Sequence, residues 1–182
     1  MSDEALMDHF KDGSKKAFNL LYERYSQQLL RTMYHLLNQN EDLAQDLLHD
    51  VFVRLIENPE KFDSSRKFKS WIYTVVTNEC KKQYRKTATL SIDDVNGQDI
   101  LDNSSILRNI NNVQFKKMLD VELKQLTFEH RSCFVLRYEE NLSVKEISQI
   151  SDCAEGTVKS RLHYTLKQLS SKLAIFNPIE IN

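Results

Sequence analysis

The stretch LSVKEISQISDCAEGTVKSRL at residues 142–162 has the pattern of two short helices joined by a tight turn. Ser143 and Glu146 form an S-x-x-E capping box, which fixes the start of the first helix. The second helix carries a small, polar and basic outer face, as a helix that enters the major groove of DNA does. Apolar residues at spacings of three and four are predicted to form the buried inner face of this second helix. They are Val158, Leu162, Leu166, Leu169 and Leu173.

An ordinary helical hairpin with a solvated charged face would show part of this pattern. Helix-turn-helix patterns also produce many false matches. The run EGTVKSRL at residues 155–162 is far more specific than the rest, and we therefore predict DNA binding.

The rest of the chain also favours helices. Its 182 residues include only three Gly and two Pro, too few for many short strands. Amphipathic periodicity predicts helices over residues 3–11, 14–37, 41–57, 70–86, 113–126 and 129–139. Pro59 ends the third helix, and Ser70 is expected to cap the fourth. The predicted fold class is all-α.

Residues 87–112 lose this periodicity and are rich in Ser, Asp and Asn. Four Asp and one Arg give the stretch a charge of −3, too polar to bury much surface. It is predicted to be a flexible acidic linker between an N-terminal domain at 1–86 and a helix-turn-helix domain at 113–175.

The net charge of −1 conceals two opposed segments. Residues 38–60 hold six carboxylates and one Arg, whereas residues 61–86 hold eight basic and two acidic residues. Such a separation suits a protein that touches nucleic acid with one surface and a basic protein with another.

Several classes of function find no support in the residues. The three cysteines are widely spaced and form no C-x-x-C pair, which fits a reducing cytoplasm. No metal-ligand spacing, Gly-rich phosphate loop or nucleophile motif is present, so we expect no metal, no cofactor and no catalysis. The start MSDEA lacks the order of a signal peptide, and no apolar run approaches a membrane span.

Further blocks complete a family pattern. They are KAFNLLYERY at residues 16–25, AQDLLHDVFVRL at 44–55, FKSWIY at 68–73 with Asn78, and LRY at 136–138 before the helix-turn-helix. In their order and spacing, over roughly residues 4–173, the chain resembles the extracytoplasmic-function (ECF) sigma factors of bacterial RNA polymerase.

This resemblance implies a non-catalytic subunit that directs core RNA polymerase to promoters. The acidic third helix would dock on the clamp coiled coil of the β′ subunit, with a further contact at the β flap. An anti-sigma factor that covers this surface is also implied. The implied polymerase contacts are Gln45, Asp46, His49, Asp50 and Arg54.

The resemblance assigns the basic loop and the fourth helix to the −10 promoter element. Extruding a base costs a few kcal/mol, and basic grooves with aromatic platforms offset that cost. The Asn78 amide matches the position that contacts a flipped base. The implied contacts, with Tyr73 expected on the outer helix face, are Phe62, Arg66, Lys67, Phe68, Lys69, Tyr73, Asn78, Lys81, Lys82 and Arg85.

The helix-turn-helix would read the −35 element. The resemblance implies contacts to bases and nearby backbone from Arg137, Val144, Lys145, Thr157, Lys159, Ser160, Arg161, His163 and Tyr164. Arg161 either reaches phosphate or pairs within its own domain.

Two alternatives remain open. The acidic linker either mimics RNA on its path toward the polymerase active centre or is simple disorder. The chain as a whole could instead be a stand-alone helix-turn-helix regulator. Such a regulator normally carries a ligand, phosphoacceptor or dimerisation domain, which residues 41–86 do not resemble.

Overall fold

The computed structural model describes residues 1–90 and 112–174, and every regular element in these two ranges is helical. A 3-10 turn at Pro59–Lys61 follows the third helix. The α-helices are α1 Asp3–Lys11, α2 Lys15–Leu36, α3 Glu41–Glu57, α4 Phe68–Leu90, α5 Asn112–Gln125, α6 Phe128–Tyr138, α7 Val144–Ile150 and α8 Glu155–Lys172. The predicted all-α fold is confirmed.

Short polar side chains start most of these helices. Ser14 accepts a hydrogen bond from the Ala17 amide before α2, and Asn40 does the same for Leu43 before α3. The predicted capping box of α7 is present, since Ser143 Oγ accepts from the Glu146 amide at 3.2 Å and the Glu146 carboxylate accepts from the Ser143 amide at 2.8 Å.

The prediction that Ser70 caps the fourth helix is wrong. α4 begins two residues earlier, at Phe68, because the carboxylate of Glu4 in α1 accepts a hydrogen bond from the Phe68 amide at 3.0 Å. A residue remote in the sequence therefore supplies the acceptor that this helix start requires. α4 also continues beyond residue 86, to Leu90, into the segment predicted to be linker.

One position of the predicted inner face of α8 is wrong as well. Leu166 is 42% exposed, whereas Thr165 is fully buried. Both positions fit a spacing of three or four from Leu162 and Leu169, and packing against α6 and α7 selects Thr165. Val158, Leu162, Leu169 and Leu173 are buried as predicted.

The helices form two modules that pack against each other. The first module is α1–α4 and the second is α5–α8. α4 packs on α7, α2 packs on α6, and one buried apolar cluster runs through both modules. Residues 91–111 of the predicted linker and residue 175 of the predicted second domain lie outside the described residues.

The described helices set two further limits. None of them is long and apolar enough to cross a membrane. Burial raises the pKa of the Cys80 thiol to about 12, so this cysteine stays protonated and behaves as a core residue.

Candidate functional site

The outer face of α3 presents carboxylates to solvent. Asp46 and Asp50 lie one helical turn apart and are both exposed. Neither forms an ion pair with any residue that the structure describes. Gln45 and His49 are exposed beside them. We call this surface the acidic ridge. Its two carboxylates, Asp46 and Asp50, can accept the cationic side chains of another protein without first breaking an ion pair to a described residue.

Arg54 joins the acidic ridge to α4. Its guanidinium lies 3.0 Å from the Glu79 carboxylate, which also accepts from Lys82 at 2.8 Å. Burial acts to raise the pKa of Glu79, but the Lys82 hydrogen bond and the Arg54 charge outweigh it, so the pKa is lowered. Arg54 remains 53% exposed and can contact a partner while fixing α3 on α4.

The loop before α4 and the outer side of that helix form a basic surface. Among the basic residues predicted to contact the −10 element, four are exposed, and Lys69 and Lys81 are partly buried. The Asn78 amide is exposed as well, and the four exposed predicted basic contacts are Arg66, Lys67, Lys82 and Arg85. A surface of this charge has the chemistry needed to contact a nucleic-acid backbone.

Phe62 and Phe68, both predicted to contact promoter DNA, are buried in this structure. Their ring centroids lie 5.4 Å apart, and the Trp71 ring lies 5.4 Å from Phe62 and 5.8 Å from Phe68. The two pairs that Phe62 forms are edge-to-face, an arrangement that is favourable and directional. The three rings therefore hold the basic loop against α4 and act as its support.

The expectation that Tyr73 lies on the outer face of α4 is also wrong. Its side chain is fully buried, and its hydroxyl donates a hydrogen bond to the carboxylate of Glu140 in the second module. Burial, together with this carboxylate, raises the pKa of Tyr73. Tyr73 is a contact between the modules in this structure.

Two clefts separate the modules along α4. The first, about 850 Å³, is lined by Arg66, Lys67 and Trp71 on one side and by Lys145 and Gln149 on the other. The second, about 510 Å³, is lined by Asn78, Lys81 and Arg85 together with residues of α6, α7 and α8. The structure thus brings the residues predicted for the −10 element close to the helix-turn-helix.

The helix-turn-helix has the predicted geometry of α7, a turn and α8. Val144 is partly buried. The predicted contacts that are exposed on its surface are Lys145, Thr157, Lys159, Ser160, His163 and Tyr164.

Two arginines of this module have internal partners. Arg137 Nη1 donates to the Leu142 carbonyl at 2.9 Å, and Arg161 Nη1 lies 3.6 Å from Cys153 Sγ. Of the two roles open for Arg161, the structure shows pairing within the module.

Sequence reasoning missed the buried polar residues between the modules. Thr32, Arg131 and Glu140 are buried among apolar neighbours. No local pattern identifies them, because their partners lie between 67 and 108 residues away in the sequence.

Comparison with known proteins agrees with both modules. The family model of Sigma-70 region 2 matches residues 21–89, and the family model of Sigma-70 region 4 matches residues 123–171. These two matches together cover more than half of the chain and follow the order predicted from the sequence.

Relatives and solved structures extend the similarity to nearly the full length. The ECF RNA polymerase sigma-E factor of Haemophilus influenzae is 27% identical over 187 residues, covering 95% of this chain and 96% of the relative. Its counterpart in Escherichia coli K12 is 25% identical, with 95% of each chain covered.

Among solved structures, sigma factor RpoE with anti-sigma factor NepR from Bartonella quintana has a TM-score of 0.70 at 23% identity, covering 89% of this chain and 99% of that one. CnrH with the cytosolic domain of CnrY has a TM-score of 0.71 at 19% identity, covering 96% and 99%. These two structures share the fold. The family matches and the sequence relatives confirm the resemblance seen in the sequence, and the chain belongs to the extracytoplasmic-function sigma factors of RNA polymerase.

Proposed function

We propose that this chain is a promoter-specificity subunit without catalysis of its own, which acts with core RNA polymerase in the cytoplasm. The acidic ridge of α3 docks on the β′ clamp coiled coil, and the second module adds a contact at the β flap. The observation that carries this proposal is the pair of exposed, unpaired carboxylates Asp46 and Asp50, within a chain related to sigma factors over 95% of its length.

The first module, residues 1–86, would capture the −10 element. The basic loop and α4 hold the opened DNA strand through its phosphates, while the Asn78 amide forms hydrogen bonds with the edge of an unstacked base. An amide can donate and accept at once, so it recognises a base with two hydrogen bonds. The phosphate contacts are proposed to be Arg66, Lys67, Lys69, Lys81, Lys82 and Arg85.

The second module, residues 113–175, would read duplex DNA at the −35 element. α8 places Lys159, Ser160 and His163 on its exposed side, which suits a recognition helix in the major groove. Lys145, exposed at the start of α7, would contact a backbone phosphate.

Binding to polymerase would make these weak contacts act together. Once the acidic ridge is docked, each DNA contact raises the effective concentration of the other module at its own element. Isolated chain is therefore expected to bind promoters poorly. An anti-sigma factor, like the one bound to RpoE in the Bartonella quintana structure, would act by covering the same surfaces.

Co-elution with core polymerase distinguishes this proposal from a stand-alone regulator. The purified chain should elute with core enzyme in size-exclusion chromatography and bind promoter DNA well only in that complex. Tight, sequence-specific binding by the free chain, with no association with polymerase, would support the regulator instead.

Exchanging Lys159, Ser160 and His163 together is expected to change the preferred upstream promoter sequence. Each lost base contact should cost about 1–3 kcal/mol of discrimination. The measurement is transcription by holoenzyme from a library randomised at the upstream element. Exchange of the exposed Lys167 and Lys172, farther along α8, is the control and should leave the preference unchanged. An unaltered preference in the triple variant would remove the assigned base-reading role.

A further inference from the structure

A histidine outside the helix-turn-helix contacts the exposed side of α8. His130 lies in the first turn of α6, the helix that precedes α7 in the second module. Its ring lies against the ring of Tyr164 in α8, with centroids 5.0 Å apart and planes tilted by 52°. Aromatic rings at this separation attract each other beyond the effect of burial alone. The two rings therefore connect the body of the module to a residue predicted to contact the −35 element.

Tyr164 itself has little other support. It lies one helical turn after Ser160, on the same face of α8, and 57% of its surface is exposed. An exposed side chain of this kind normally samples several staggered rotamers. Contact with the His130 ring favours the rotamer in which the two rings touch, so the direction of the Tyr164 ring depends on a residue of α6.

The His130 ring is fixed in turn by the start of its own helix. Thr127 caps α6, and its hydroxyl oxygen accepts a hydrogen bond from the His130 amide at 3.5 Å. The same oxygen lies 2.8 Å from His130 Nδ1, within hydrogen-bond distance of the ring. Backbone and side chain of His130 are thus both tied to one capping residue, which gives Tyr164 a rigid neighbour.

The charge state of His130 suits this contact. Burial and the nearby Arg161 charge lower the pKa of His130, although the Glu129 carboxylate acts in the opposite direction. The ring is therefore neutral at neutral pH. It offers Tyr164 an uncharged surface and adds no positive charge of its own beside the phosphates.

Ordering a side chain on binding lowers affinity, and a side chain that is already held avoids this loss. A tyrosine that is held in one direction also meets the same base pair each time that α8 enters the groove. Support from His130 should therefore affect the preference for one base pair and leave the other contacts of α8 unchanged.

We propose that His130 is a positioning residue for promoter recognition, which holds the Tyr164 ring in the orientation that reads one base pair of the −35 element. The inference rests on the proposed function, in which α8 lies in the major groove. His130 acts through Tyr164 and makes no DNA contact of its own. All the contacts that carry the inference lie within the second module.

Transcription by holoenzyme from a promoter library randomised at the upstream element tests the proposal. Tyr164→Ala identifies the base pair that Tyr164 reads, as the position where preference is lost. His130→Ala should weaken the preference at that same base pair by about two- to tenfold, the cost of ordering one side chain. Alanine favours helices and Thr127 still caps α6, so this variant keeps the fold. His130→Phe keeps a ring beside Tyr164 and should retain the preference.

A double variant and a control complete the design. His130→Ala combined with Tyr164→Ala should match Tyr164→Ala alone, because a residue that acts through another has no effect once the other is removed. Tyr138→Ala is the matched control. It removes another exposed tyrosine of the second module, one that stacks on Phe134 with centroids 4.9 Å apart but belongs to α6. It should leave the preference unchanged at every upstream position.

The inference is wrong if His130→Ala leaves the preference intact, or if Tyr164→Ala loses preference at no base pair. Equal weakening at all upstream positions would assign His130 a merely structural role. Additive effects of the two alanine variants would mean that His130 contacts DNA directly, which also contradicts the inference. A lack of any upstream preference in the unmodified holoenzyme counts against the proposed function, whereas a preference that survives His130→Ala counts against this inference alone.

Discussion

Asp46→Arg combined with Asp50→Arg is expected to abolish promoter-dependent transcription and binding to core polymerase. Both carboxylates are exposed on the acidic ridge and have no internal ion pair among the described residues, so their reversal acts on the partner. Close charge pairs in interfaces couple by about 1.5–7 kcal/mol, so affinity should fall at least about a hundredfold. Titration of fluorescent chain with core enzyme at low salt measures this loss.

The matched control changes the net charge equally at a different place. Glu23→Arg with Glu60→Arg alters two exposed carboxylates of the first module that lie outside the acidic ridge. This control should bind core enzyme almost as well as the unmodified chain. Equal loss in both double variants would show that net charge, and not the acidic ridge, governs association.

Asn78→Ala is expected to reduce transcription strongly from duplex promoters and only slightly from templates that are already melted at the −10 element. The Asn78 amide is proposed to stabilise a base after it leaves the stack, and loss of a bidentate contact costs about 1–3 kcal/mol. Initiation from duplex templates should therefore fall by about tenfold or more. Abortive-product assays with holoenzyme on paired and pre-melted templates provide the comparison.

Gln83→Ala is the control, because it removes an amide from a different side of the same helix. It should affect neither template. If Asn78→Ala lowered transcription equally from both templates, its contribution would lie outside strand capture.

The helices and the helix-turn-helix were predictable because their signals are local. Ser143 and Glu146 are three residues apart, and the capping box they predict is present. The acidic ridge could also be predicted from the sequence, because helical periodicity alone places Asp46 and Asp50 on the same face of α3.

The errors at the start of α4 and at Tyr73 occur where a contact with a distant part of the chain determines the structure. Glu4 moves the start of α4, 64 residues away in the sequence, to Phe68. Tyr73 is buried with its hydroxyl donating a hydrogen bond to Glu140 of the other module, and a single helix pattern cannot indicate this. An aromatic residue beside basic ones looks the same in sequence whether it stacks on a base or, like Phe68, supports a loop.

The most direct test of the central claim is sequencing of the RNA 5′ ends made from genomic DNA by core polymerase with and without this chain. If the chain directs polymerase to promoters, new start sites should appear only when it is added. These sites should share one upstream and one downstream motif at fixed spacing. Start sites identical in both reactions would contradict the account.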